Sequence, residues 1–292
     1  MPLIHHRSFR VRHYECDAYG RARPATFLNY MQETAFDASA AAGYDLARYR
    51  ELGLYWLVRE TDVEYLDPFA LHYGALVQVK TWVIDFRRVR SRRAYEFALD
   101  SSITPVARAS TDWVLLDTAT GQPVSIPSEM MGAFFPEGVP EQAPPRSRFP
   151  SPPPVGAFQD RRRVRWSDVD SVGHVNNAVY LDYLDDSAVG VAAENRWPPA
   201  RLSDLGLAIL ARRHQIEYRQ PALLDDRLVL TTWLSDLDSS TGIQHLFITR
   251  SGDNALLLRA RWHWEMVDRQ SGEPAAIPPE FVADLAPHLC PS

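Results

Sequence analysis

The sequence predicts an α+β protein made of two tandem copies of one unit, each an antiparallel sheet wrapped around a single long helix. Three observations carry this reading: an internal repeat, one stretch of helical period in each copy, and a series of strand-like runs after each helix. The repeat is visible by eye. Val11-Arg12 recurs 153 positions on as Val164-Arg165, Asp17 and Gly20 as Asp170 and Gly173, and Glu64-Tyr65 as Glu217-Tyr218. A two-residue deletion then sets the shift to 151: Trp82 matches Trp233, Trp113 matches Trp264, and Asp117, Gly121, Pro123 and Ile126 match Asp268, Gly272, Pro274 and Ile277. Self-similarity at one shift with one small deletion marks a duplicated structural unit.

Each copy opens with a short strand, expected over 9–15 and 161–167, that leads through a polar loop into the helix. Phe27, Met31, Ala35 and Ala38 fall on one helical face, as do Tyr180, Leu184, Ala188 and Val191 in the second copy. Pro24 suits the first turn of the first helix, and Asn176 or Asn177 can cap the second. Strand-like runs follow at 55–65, 75–85, 92–100 and 106–117, then at 209–218, 228–236, 244–250 and 255–268. The β-α-β-β-β-β order puts one helix on one sheet. Eight of the 22 prolines lie between Pro136 and Pro154, a composition that reads as an extended linker. The expected domains are therefore 1–137 and 156–292, joined by a Pro-rich linker over 138–155.

Composition excludes several classes of function. The 292 residues are 46% hydrophobic and 23% charged, which is ordinary globular composition. No apolar run approaches the roughly 18 residues of a membrane span, and the first twelve residues lack the apolar core of a secretory signal. Two cysteines, Cys16 and Cys290, exclude a disulfide framework and a Cys-rich zinc site, so the expected compartment is the cytoplasm. A net charge of −6 gives no electrostatic footprint for nucleic acid. The basic residues are thirty Arg against one Lys, Lys80, a bias attributed to a GC-rich genome.

The two copies differ in the loop before the helix. The second reads Trp166-Ser167-Asp168-Val169-Asp170-Ser171-Val172-Gly173-His174-Val175-Asn176-Asn177. In the first, Arg21 stands where the second has His174, Arg23 stands for Asn176 and Pro24 for Asn177. The polar cluster is complete only in the second copy.

Asp170-x-x-Gly173-His174-Val175-Asn176-Asn177 resembles the motif of hot-dog-fold thioesterases. The wider stretch 165–180, together with Phe9-Arg10-Val11-Arg12, Gln32-Glu33-Thr34-Ala35 and Arg108-Ala109-Ser110, resembles acyl-ACP thioesterases. The similarity covers about 9–135 and 158–281 and implies a double hot dog. It also implies release of a fatty or related acid from acyl carrier protein. Alternatives are an acyl-CoA thioesterase and a protein that binds acyl thioesters without hydrolysing them. The chain departs from the family at Val172, where an Asn is usual. It departs again at Gln220-Pro221-Ala222, where a Glu-Cys pair is usual.

Thioester hydrolysis needs an activated water or a nucleophile, and Asp170 is the candidate for either role. His174 is the candidate to orient the carboxylate or a water. Asp168, Gly173, Asn176 and Asn177 are expected to support the loop, with backbone N–H groups near Gly173 stabilising the oxyanion. Asp17 and Glu33 form a second site or a relic of one. No cofactor or metal is required, because a thioester carbonyl is already electrophilic. Arg87, Arg88, Arg90, Arg92 and Arg93 crowd seven positions of the first copy, where the second has no base. Such a cluster attracts an acidic carrier protein or the phosphates of CoA. A homodimer partner is left open.

Overall fold

The computed structural model describes residues 1–138, 149, 153–154 and 156–290. The chain divides into two compact units, Met1–Ser147 and Arg148–Ser292. The division falls in the expected linker, most of which lies outside the described residues.

The first unit contains β1 (Ile4–Arg10), α1 (Pro24–Ala41), α2 (Leu46–Leu52), β2 (Leu54–Tyr65), β3 (Leu76–Arg87), β4 (Arg90–Leu99), β5 (Pro105–Asp117) and α3 (Ser128–Phe134). Its five strands pair antiparallel in the order β1-β3-β4-β5-β2. Alternation in β3 and β4 aims Val77, Val79, Thr81 and Val83, with Arg93, Tyr95 and Phe97, to one face. α1 covers that face. Phe27 on α1 meets Phe97 at 5.2 Å and Tyr65 at 5.0 Å between ring centroids, and Tyr30 stacks on Phe9 at 4.1 Å. The predicted stripe Phe27, Met31, Ala35 and Ala38 is buried.

The second unit contains β6 (Phe158–Arg163), α4 (Val179–Glu194), α5 (Pro199–Asp204), β7 (Leu207–Tyr218), β8 (Arg227–Ser235), β9 (Thr241–Arg250), β10 (Leu256–Asp268) and α6 (Pro279–Leu285). Its strands pair antiparallel in the order β6-β8-β9-β10-β7. The corresponding elements carry the shifts found in the sequence: β2 and β7 are 153 apart, and β5 and β10 end 151 apart. Tyr180, Leu184 and Val191 of α4 are buried as expected, while Ala188 is half-buried.

The first strand of each unit departs from expectation. β1 and β6 end at Arg10 and Arg163, and 3-10 turns follow at His13–Glu15 and Trp166–Asp168. The cause is an acid that closes the turn. The Arg12 N–H donates to the Glu15 carboxylate at 2.7 Å, and the Arg165 N–H donates to Asp168 at 2.8 Å. A carboxylate that satisfies a backbone donor three residues earlier competes with the sheet ladder for it. The short helices α2, α3, α5 and α6 carry too few turns for a readable period. α2 is marked by local chemistry instead: Asp45 accepts the Arg48 N–H at 2.8 Å, and Gly53 closes the helix in the left-handed region at φ 64°.

The second unit also buries two histidines. His214 lies against Trp262, with ring centroids 5.8 Å apart, and burial pushes its pKa down to about 3. His245 stacks on Trp233 at 4.8 Å and bonds Ser235 Oγ at 2.7 Å. Burial pushes its pKa down to about 4. Both are neutral in the folded state near neutral pH. Unfolding restores a pKa near 6.5, so the unfolded chain binds more protons at any pH between the two values. This stability is present above pH 6.5 and is lost as pH falls toward 4, at up to about 1.4 kcal/mol per pH unit for each histidine. Chemical denaturation followed between pH 7.5 and 4.5 is expected to show that loss, and His214→Phe to flatten it.

Candidate functional site

The loop before α4 is held from three sides. Asp168 Oδ2 accepts the Arg165 N–H at 2.8 Å and the Tyr183 hydroxyl of α4 at 2.7 Å. The Val175 N–H donates to the Ala222 carbonyl at 2.9 Å, and the Tyr218 hydroxyl of β7 donates to the Asn177 carbonyl at 3.2 Å. Gly173 takes φ 91°, a left-handed conformation open to glycine, and its N–H returns to the Asp170 carbonyl at 3.0 Å. Asn176 accepts the Ala178 N–H at 2.8 Å at the start of α4. Asp168, Gly173, Asn176 and Asn177 therefore shape the loop.

Asp170 and His174 come together within it. The Asp170 carboxylate accepts the Val172 N–H at 2.9 Å, and the Asn176 amide stands 3.5 Å away. His174 Nδ1 lies 4.0 Å from Asp170 Oδ1, and the two side chains are 17% and 20% exposed. A 4.0 Å separation is too long for a direct hydrogen bond, and the same Nδ1 lies 3.4 Å from the Val175 carbonyl. Val172, at the position where the resembled family has Asn, is exposed and supplies its backbone N–H.

The corresponding loop of the first unit has the same backbone form and a different electrostatic state. Tyr30 donates to Glu15 at 2.7 Å, as Tyr183 does to Asp168. Asp17, however, is gripped by Arg21. Arg21 Nε and Nη2 reach one carboxylate oxygen at 3.2 and 3.0 Å, while the Tyr19 and Arg21 N–H groups reach the other at 2.8 and 3.0 Å. Both oxygens of Asp17 are thereby engaged, one of them by the guanidinium of its own loop. Glu33 lies on the outer side of α1, paired with Arg7 at 3.3 Å.

The arginine cluster needs correction, because its members separate. Arg87 and Arg88 are exposed around the β3–β4 turn, and Arg90 is half-buried. Arg92 forms a two-point ion pair with Asp112, one arm at 3.1 Å, which raises its pKa. Arg93 points to the α1 side of the sheet and is 6% exposed. Strand alternation divides a dense run of like charges between two faces, and one of these faces is the interior. Arg92 and Arg93 are thereby unable to dock a carrier.

The tyrosine anchors were not singled out from the sequence, although the repeat contains their signal. Glu15 and Tyr30 are fifteen residues apart, as are Asp168 and Tyr183. Burial, followed by the Asp168 bond, raises the pKa of the Tyr183 hydroxyl, which stays a donor.

Comparison with known proteins adds to this geometry. Residues 2–134 match the model of the acyl-ACP thioesterase N-terminal domain, and residues 164–285 that of the thioesterase-like superfamily. A palmitoyl-acyl carrier protein thioesterase of Gossypium hirsutum is 27% identical over 90% of this chain, which spans 64% of that protein. An acyl-[acyl-carrier-protein] hydrolase of Cuphea viscosissima is 26% identical over 95% of this chain, which spans 66% of it. The chain thus spans just under two thirds of these relatives. The solved 12:0-ACP thioesterase of Umbellularia californica has a TM-score of 0.73 at 20% identity, covering 90% of this chain and 98% of that one. The acyl-ACP thioesterase of Bacteroides thetaiotaomicron scores 0.69 at 19% identity, with the same 90% and 98% coverage. These likenesses show the hot-dog thioesterase fold, an antiparallel sheet with helices. Among the described residues no helix is long and apolar enough to cross a membrane.

Tyr183→Phe leaves a carboxylate without its hydroxyl donor at the foot of α4. A loss of about 1–3 kcal/mol is expected, read as a shift in the denaturation midpoint.

Proposed function

We propose that this chain, whose residues 2–134 match the acyl-ACP thioesterase N-terminal domain and 164–285 the thioesterase-like superfamily, is a thioester hydrolase that releases a fatty or related acid from acyl carrier protein. We read each unit as one hot dog of a tandem pair, with the chemistry in the second. The observation that supports this most is the contrast between two equivalent carboxylates: Asp17 is paired with Arg21, whereas Asp170 lies 4.0 Å from the His174 imidazole.

In this reading Asp170 takes a proton from a water held between it and His174. The resulting hydroxide adds to the thioester carbonyl. The C–S bond then breaks, and the proton leaves with the carrier thiol. The Val172 and Gly173 N–H groups are engaged with Asp170 itself, so they are not the oxyanion donors that the sequence led one to expect there. The positions that depart from the resembled family are not needed for this step.

The acyl-CoA alternative has one specific support, a long-chain acyl-CoA thioesterase of Escherichia coli. It is 28% identical over 44% of this chain, which spans 96% of that protein. Comparing turnover of one acyl group on carrier and on CoA separates the two substrates.

Thiol release from an acyl carrier thioester is expected to fall about 10²–10⁴-fold in Asp170→Asn, with the fold retained. Asp17→Asn should retain wild-type turnover within about threefold. Equal rates for Asp170→Asn and wild type, or acyl-thioester binding with no thiol release, would refute the assignment. Arg87 and Arg88 are the exposed members left for carrier docking. Arg87→Glu with Arg88→Glu is expected to raise KM for the carrier substrate several-fold at low salt, an effect that shrinks as salt screens it. An unchanged KM at low salt removes the docking role.

A further inference from the structure

The interior of the first unit contains a charge that its fold does not require. Arg93 is buried on the sheet face covered by α1, and its one hydrogen bond among the described residues runs from Nη1 to Thr81 Oγ1 at 3.5 Å. No carboxylate pairs with it among the described residues. The nearby hydroxyls are already engaged with other partners: Tyr95 with Thr111 at 3.1 Å, and Tyr49 with Ser39 at 3.0 Å and Trp56 at 2.9 Å. The guanidinium lies 5.5 Å from the Phe134 ring centroid. Burial lowers the pKa of Arg93 from its ordinary value, in the direction expected of a desolvated cation.

The second unit provides an internal control. Gln244 stands 151 positions on and donates to Thr232, the counterpart of Thr81. Thr81 and Thr232 each donate onward to a backbone carbonyl of the next strand, at 2.8 and 2.6 Å. A neutral amide therefore completes the same local structure. The positive charge is an addition, and buried charges are retained in proteins where they meet an opposite charge.

We propose that the interior of the first unit binds a carboxylate borne on an aliphatic chain, with Arg93 as its ligand. Val83 stands directly opposite Arg93 on β3, and Val79 and Phe97 lie further along the same buried face; all three are apolar and suit a hydrocarbon chain. A single guanidinium neutralises a single carboxylate through two parallel N–H donors, whereas a phosphate brings nearly two charges. The carboxylate has two sources under the proposed function, the free acid that hydrolysis releases and an acid group at the far end of the acyl chain. The assignment of a carboxylate rests on Arg93 alone, while its biological source rests on the proposed hydrolysis.

Calorimetric titration with octanoate and with methyl octanoate tests the site directly, whether or not the chain hydrolyses thioesters. Wild type is expected to bind octanoate at least about tenfold more tightly than the ester. Arg93→Gln, which installs the residue found in the second unit, is expected to abolish that difference while melting as a folded protein. Arg93→Lys keeps the charge and is expected to restore part of the difference. Failure of octanoate to bind, equal binding of acid and ester, or a preference that persists in Arg93→Gln overturns the proposal. Two further measurements identify the source. Inhibition of thiol release by octanoate that weakens in Arg93→Gln supports the released acid. A preference for an octanoyl thioester with a terminal carboxylate, lost in Arg93→Gln, supports the substrate's own end group. Absence of thiol release in wild type would sink the proposed hydrolysis and leave the binding result standing.

Discussion

A tyrosine on the long helix that holds an acid in the preceding turn is the contact on which both units depend. Tyr30 binds Glu15 and Tyr183 binds Asp168, each at 2.7 Å and each to the oxygen that also closes a backbone turn. A hydrogen bond to a carboxylate is roughly twice as strong as one between neutral groups. Here it joins the end of the first strand to the first helical turns across a loop of about a dozen residues. The loop between them is thereby fixed at both ends, and whatever side chains it carries are presented at a defined place before the helix.

That fixed frame allows the two copies to differ chemically without differing in form. Both loops close with the same short bridge, Cys16 to Ala22 and Val169 to Val175, and both place an aspartate just inside it. One basic residue then separates them. Arg21 reaches the carboxylate of its own loop through two nitrogens of one planar group. His174 has a shorter side chain and stops 4.0 Å away.

The helix-covered faces of the two sheets diverge in the same manner. A threonine, backed by a carbonyl of the neighbouring strand, meets a polar side chain in both units, and that side chain is neutral in one and cationic in the other. Since the neutral version satisfies the same acceptor, the guanidinium carries a desolvation cost that the amide does not.

The repeat, the single long helix of each unit, the run of strands after it and the Asp170–Asn177 loop were legible in the sequence. Each of these features is local in sequence or recurs at a fixed shift. Period 3.6 for the helices and the paired positions of Trp, Pro and Gly at the turns are properties of the chain order. The tertiary structure decided what depended on which side of a strand a residue faces and on which distant groups meet. It ended β1 at Arg10 and β6 at Arg163, because Glu15 and Asp168 accept backbone donors and turn the chain away from the sheet. It also dispersed an arginine run that looked like one surface, since β4 alternates and sends Arg92 to Asp112 and Arg93 to the interior. Composition sets how many charges a segment carries. Strand pairing decides which of them reach water, because pleating assigns successive side chains to opposite faces and the helix covers just one.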